Sequence, residues 1–320
     1  MAQKKLSVIT SQIMPGNSKR QELIWVLYLL PGLIVYALFM AYPLFNSMRL
    51  SFFTGTGYTL NNFIGFDNYK ELFFNKRISS QFLGAFRNTW IFFFVHMLVQ
   101  NTLGLLFANL LISKSLKGRN VYRTIIFIPA TLAIVVTGFL WKLLLNPQWG
   151  ALTTFLKFIG LSSISRVWLG DPQIALVVIA LVSSWQWVGL PTMMFLAALQ
   201  NIPEELFESA EIAGATNWQT FRHIKLPLLK PIIGVVSILT FTGNFNAFDV
   251  VFAMAGPNGS PNFSTDILGT YFYRIGIAGK HPVGIPNMGM GAAVATVIFL
   301  VLFIGVGILR VLTQEKKGLK

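Results

Sequence analysis

There is no cysteine among the 320 residues, so disulfides, thiolate metal sites and cysteine nucleophiles are excluded at once. Charge is scarce as well. Asp, Glu, Lys and Arg make up 11% of the chain, where soluble domains carry about 25%. Acidic residues number 11 against 25 basic ones, and His96, His223 and His281 fall far apart. That leaves no clustered triad, acidic pair or shared metal set from which to build an enzyme. A phosphate loop, G-x-x-x-x-G-K-[ST], is missing too. Gly279-Lys280 is followed by His281, with no glycine five residues before Gly279. Any energy drawn from ATP must therefore come through a separate subunit.

What the chain has in abundance is apolar material: 54% hydrophobic residues, 29 Phe and eight Trp, with a mean hydropathy of +0.63. A core of this length does not need so much, whereas a lipid solvent does. Six apolar stretches are long enough to cross a bilayer, which takes about 20 residues of helix. They run near 24–45, 88–112, 121–142, 174–199, 232–253 and 290–312. The first carries Pro31 and Pro43 and is too long for a signal peptide, so it reads as a retained span. The expected fold is all-α: an N-terminal segment over 1–23, one transmembrane domain over 24–312 and a tail over 313–320.

A net charge of +14 raises nucleic acid as a partner for a soluble protein. Here basic residues that flank spans and hold topology account for it. With the N-terminus inside, fifteen of the 25 Lys and Arg fall in cytoplasmic segments, which favours both termini in the cytoplasm. Between the first two spans a short amphipathic run near 69–74 suits an interfacial position. Residues 143–173 and 254–289, rich in Gly, Pro, Asn and Ser, read as irregular loops.

The most informative stretch lies between the fourth and fifth spans, Ile202 to Pro231. Pro203 suits a helix start, and Glu204 and Glu205 fall in the first turn, where the helix dipole favours anions. Leu206, Ala210 and Ala213 share one face. Gly214 then offers a break, Asn217 a cap for a second helix, and Pro227 and Pro231 its end. The pattern draws a helix–turn–helix on the cytoplasmic surface. Spacing alone leaves two readings open: an ordinary interfacial helix, or a docking surface for a partner.

Glu208-Ser209-Ala210-x-x-x-Gly214-Ala215, followed by Phe221, Ile224, Leu226, Pro227 and Pro231, resembles the E-A-A-x-x-x-G loop of binding-protein-dependent ABC importer permeases. Ser209 stands where that family has a second alanine, and Ala213 where Asp commonly precedes the glycine. Further matches are Gly65-Phe66-Asp67-Asn68-Tyr69, Asn88-Thr89, Arg123 through Pro129, Leu199-Gln200-x-Ile202-Pro203, Phe245-x-x-Phe248-Asp249, Gly256-Pro257 and Thr265. Maltose, glycerol-phosphate and multiple-sugar permeases are the nearest in pattern. The resemblance implies a multi-pass permease of a bacterial cell membrane. It would form a heterodimer with a second permease, bind two copies of a cytoplasmic ATPase and receive sugar from an extracytoplasmic binding protein. The implied coupling residues are Glu208, Ser209, Ala210, Gly214, Ala215, Phe221 and Pro227. ATP and Mg would be held by the partner ATPase, with no cofactor in this chain.

Sugar recognition combines aromatic faces with amide and hydroxyl groups. Two stretches hold that mixture at membrane depth. One contains Trp185, Gln186, Trp187 and Gly189; the other contains Asn244, Phe245, Asn246, Phe248 and Asp249. Helix packing draws on the same residue types. The resemblance assigns both stretches to the translocation path. Asp249 is the one acidic residue within a span as drawn, and intramembrane charge hints at function. The alternative class is a gradient-driven secondary transporter or channel, which would place acidic residues at the midplane to hold coupling ions.

Overall fold

The computed structural model describes residues 18–54, 59, 62–113, 116–279 and 285–313. The N-terminal segment up to residue 17, the tail from 314, and Lys114, Lys280 and His281 lie outside the described residues. The first unit ends at Arg49. Its described part is helical, running Ser18–Tyr36, through a π-helical turn Ala37–Ala41, into a helix Tyr42–Leu50 whose last residue opens the second unit. Pro43 lacks the N–H that would bond a carbonyl four residues back, and the wider turn before it absorbs that gap.

The second unit begins at Leu50. A two-stranded antiparallel ribbon pairs Phe53 with Phe63 and Thr54 with Asn62. The amphipathic run is a helix, Asp67–Phe74. Its Asn68 donates to the carbonyls of Ser51 and Phe53 at 2.7 and 2.9 Å, which ties helix to ribbon. Asn75 then caps the second span, its Oδ1 accepting from Arg77 N at 3.1 Å.

That span, Lys76–Leu111, is 36 residues long, about 54 Å at helical rise against a hydrocarbon core of about 30 Å. It is the axis of the unit. Phe82 and Phe93 join the fifth and sixth spans in one apolar cluster. Phe92 joins the third and fourth in another. Ala108 and Leu111 meet the fourth and fifth in a third. Small residues let these helices approach: a Cβ on Gly104 would sit 3.2 Å from Pro191, and one on Gly305 2.3 Å from Phe241.

Among the described residues, Ile24–Leu50, Lys76–Leu111 and Met288–Thr313 are each long and apolar enough to cross a membrane. The third and fourth apolar stretches are bent pairs, and a 66° bend between Asn217–Leu228 and Lys230–Phe245 leads into the fifth. The third divides into Arg119–Thr131 and Ile134–Leu144 at 98°. Pro129 lies in a 3-10 turn there, and Leu132 and Ala133 are extended, so the ladder stops and restarts. The fourth divides into Ala175–Trp187 and Gly189–Gln200 at 46°. Pro191 removes the hydrogen bond to the Trp187 carbonyl at that point.

Three expectations need correction. The fifth stretch is not one helix to residue 253: Lys230–Phe245 ends at Asn246, and a separate helix Asp249–Ala255 follows. Asn side chains compete for backbone groups, and Asp249 suits the first turn of a new helix. The segments 143–173 and 254–289 are not wholly irregular either, since they hold helices Ala151–Phe158 and Leu268–Tyr273. Finally, Thr216 rather than Asn217 caps the second loop helix, through a capping box with Gln219.

The segment after the fifth span folds back on the N-terminal half of the second. Asp266 and Arg274 form a buried ion pair. Thr270 donates to Asp266 Oδ1 at 2.6 Å and Arg274 donates to Gln81 at 3.1 Å. Asn88 donates to the carbonyls of Ser264 and Asp266 at 3.0 and 2.9 Å. Thr89 Oγ1 accepts from Leu268 N at 3.0 Å. Burial pushes the Asp266 carboxyl above its ordinary range, against the opposing pull of Arg274 and Thr270.

Candidate functional site

Between the second, fourth and fifth spans lies a cavity of about 330 Å³, at the small end of ligand pockets, which run about 300–1,000 Å³. The second span switches to a π-helical turn over His96–Asn101 as it passes, a device common at functional sites. Phe92, His96 and Gln100, spaced four apart, line one wall. His96 Nδ1 donates to the Phe92 carbonyl at 2.8 Å, so Nε2 accepts from the Ser183 hydroxyl at 3.0 Å. Both ring nitrogens are thereby satisfied in one neutral tautomer.

The bend in the fourth span sets the second wall, with Ser183, Trp187, Leu190 and Pro191 along it. The third wall is the end of the fifth span. Asn244 donates to the Thr240 carbonyl at 2.6 Å. Asn246, Phe248 and Asp249 form the rim where the helix stops. Two buried oxygens on lining residues have no hydrogen-bond partner, Gln100 Oε1 and Asn244 Oδ1.

Of the pathway residues expected from sequence, Trp187, Asn244, Asn246, Phe248 and Asp249 line this cavity. Four others lie elsewhere. Trp185 packs edge-on against Trp141 at 5.4 Å between ring centres. Gln186 donates to the Leu132 carbonyl at 3.0 Å, bracing the break in the third span. Gly189 packs on the third span, where a Cβ would meet the Ile126 carbonyl oxygen at 2.8 Å. Phe245 joins an aromatic cluster with Trp90 and Phe241, at 5.1 and 4.5 Å. Sequence reasoning did not select Phe92, His96 and Gln100, although their four-residue spacing in an apolar helix was a readable signal.

The loop after the fourth span is a second candidate surface. Its first helix is Glu204–Ile212. Glu208 and Ser209 are exposed, Ser209 donating to the Glu205 carbonyl at 2.7 Å, and Ala210 is buried. The helix closes in a Schellman turn: Gly214 N donates to Glu211 O and Ala215 N to Ala210 O, both at 2.9 Å. Gly214 takes φ +75°, and a Cβ there would meet nothing within 4 Å. The strain of a side chain would thus come from the backbone, not from a neighbour.

The second loop helix, Asn217–Thr220, runs into a π-helical turn Phe221–Lys225 and then Leu226–Leu228, with Pro227 exposed. Phe221 stacks on Trp218 at 5.7 Å. Lys225 holds the loop to the second span, donating to Asn109 Oδ1 at 2.8 Å and lying 5.6 Å over the Phe207 ring. Burial lowers its pKa from the ordinary lysine value. Ile212 and Trp218 stand 89% and 65% exposed on this loop. Large apolar side chains rimmed by charge mark interaction surfaces.

The profile of the family described as binding-protein-dependent transport system inner membrane component matches residues 100–317. The probable ABC transporter permease protein YurN of Bacillus subtilis is 32% identical over 284 residues, 88% of this chain and 93% of its own. The lactose transport system permease protein LacF of Rhizobium radiobacter is 32% identical over 274 residues, 86% and 88% of the two chains. Among solved structures, one from a bacterial ABC transporter involved in import of the acidic polysaccharide alginate superposes with a TM-score of 0.78. It is 25% identical and covers 93% of this chain and 97% of that one. The chain therefore belongs to the binding-protein-dependent inner membrane components: a multi-pass permease subunit of an ABC transport system, a transport component whose ATPase is a separate subunit.

Proposed function

We infer that this chain forms half of the translocation path of a carbohydrate importer. The observation that carries the reading is the cavity between the spans, where Phe92, Trp187 and Phe248 line one space with the amide side chains of Gln100, Asn244 and Asn246. Rings cover the apolar face of a sugar, and amides bond its hydroxyls. Relatives with lactose and alginate in their descriptions support the substrate class. A second permease completes the path, and an extracytoplasmic binding protein delivers the sugar.

The loop from 204 to 225 docks one of two cytoplasmic ATPase copies, which hold ATP and Mg²⁺. Glu208, Ser209, Gly214, Phe221 and Pro227 present that surface, and Lys225 ties it to the second span. Closure of the ATPases moves the loop, and rigid-body rocking opens the cavity to one side and then the other. Both termini lie in the cytoplasm, so reporter fusions after residue 320 and within 204–225 should both report that compartment.

The deciding experiment is Gly214→Val in the assembled transporter. A valine forced to positive φ costs about 1–2 kcal/mol, and the Schellman turn that aims the loop is lost. The expected result is normal membrane insertion with loss of ATPase co-purification, or of sugar uptake in vesicles. Full ATPase binding with full uptake would overturn the coupling role.

A further inference from the structure

The segment that joins the third and fourth stretches carries a built surface. Asn146 makes a fixed turn after the helix Ile134–Leu144. Its Oδ1 accepts from Gln148 N at 2.9 Å, and its carbonyl accepts from Thr153 Oγ1 at 3.1 Å. Gly150 fits inside that turn, where a Cβ would lie 2.5 Å from the Leu144 and Asn146 carbonyl oxygens. The turn sets the helix Ala151–Phe158 beside the end of the third stretch, with Leu152 packed on the buried cluster around Leu145 and Leu176.

The face turned away from Thr153 is apolar and exposed. Ala151, Phe155 and Phe158 recur along it at helical spacing, with Phe155 58% and Phe158 88% exposed. Together with Leu144 and Trp149 they line an open groove of about 570 Å³. The groove continues a stripe of exposed side chains on the third stretch, Val136, Leu140 and Leu144, spaced four apart. From 143 to 170 the charged residues are Lys157 and Arg166, both basic and both exposed. A helix with aromatic and apolar side chains on one face and a basic flank suits the interface of a bilayer. Aromatic rings settle at headgroup level, and a lysine stem follows them while its ammonium reaches the phosphates.

We propose that the helix Ala151–Phe158 lies in the headgroup and acyl boundary of the bilayer, with Lys157 on anionic phospholipid headgroups. Its apolar face extends the lipid-facing stripe of the third stretch around the turn at Asn146. The lipid surface thereby anchors the third stretch at the end away from its 98° break.

The test uses the complete transporter in nanodiscs of phosphatidylcholine, alone or with an equal part of phosphatidylglycerol. The chain has no native cysteine, so Phe158→Cys takes a single nitroxide label when the other subunits are cysteine-free. Collisions with oxygen, which concentrates in lipid, and with a nickel chelate, which stays in water, report the depth of the label. It is expected about 5–10 Å into the headgroup and acyl boundary, open to oxygen and shielded from the chelate. Phe155→Cys carries the same test if that form does not assemble. Adding Lys157→Gln should raise chelate access about fivefold in discs with phosphatidylglycerol and leave it unchanged in phosphatidylcholine alone. A label open to the chelate would overturn the interfacial placement, whether or not a binding protein later covers it. A label closed to both probes would mean that protein, the second permease first of all, covers this face, and the bilayer would lose the assignment. Chelate access unmoved by Lys157→Gln in the anionic discs would overturn the headgroup role of Lys157. None of these outcomes depends on which solute the transporter carries.

Discussion

Two polar regions are buried along the second span, and they are finished differently. In its N-terminal half, Asn88 and Thr89 close onto the returning segment, and Asp266 is met by Arg274 and Thr270. Near its middle, Gln100 and, across the cavity, Asn244 each keep an oxygen without a partner. Both regions sit on one helix. The first is closed by an ion pair and by side-chain bonds to backbone groups, with Ser264 Oγ left without a partner; the second has no ion pair and leaves two amide oxygens without one. Polar burial by itself therefore says little about function, and what each buried polar group is bonded to says more.

The comparison can be broken most forcefully at Arg274. Replacing it with methionine leaves Asp266 buried without its cation, a change that costs about 3–5 kcal/mol. Thermal melts of the assembled transporter should show a large drop. An unchanged melting temperature would mean that the outer network does not hold the segment.

A matched pair of substitutions sharpens the contrast. Asn88→Leu strands the buried carbonyls of Ser264 and Asp266 and should cost about 1–3 kcal/mol. Gln100→Leu removes an oxygen that has no partner, so stability should change by less than about 1 kcal/mol. Equal destabilisation by the two would erase the distinction between a closed network and an open one.

The smallest effect belongs to Asp67→Asn. Its ion pair with Lys70, 2.7 Å long, lies in the open with side chains 57% and 70% exposed. Exposed pairs contribute about 0–1 kcal/mol, so the melting temperature should hold steady. A clear loss would show that surface charge matters here as much as burial does.

The loop was the most legible functional feature. Gly214 stood at the right spacing for a helix end, and the Schellman turn places it at positive φ. The turn at Gly214 is local chemistry, decided within five residues, and so was legible, whereas the cap of the next helix fell one residue earlier than the sequence pattern indicated, at Thr216. The cavity was half legible. Trp185 and Trp187 look equivalent in the chain, yet at about 100° per residue they point to different sides of one helix. The wall from the second span went unread, although Phe92, His96 and Gln100 recur every fourth residue.

The sequence by itself determined the membrane class, the six apolar stretches, the need for a separate ATPase and the glycine that turns the loop. Each of these follows from composition or from short-range backbone chemistry. Only the tertiary structure decided which stretches bend, that the fifth stops at Asn246, and which polar atoms remain unpaired. A bend depends on what the neighbouring helices let the freed backbone do. A free acceptor can be recognised only once every potential donor around it has a position, and those donors come from residues tens of positions away in the chain.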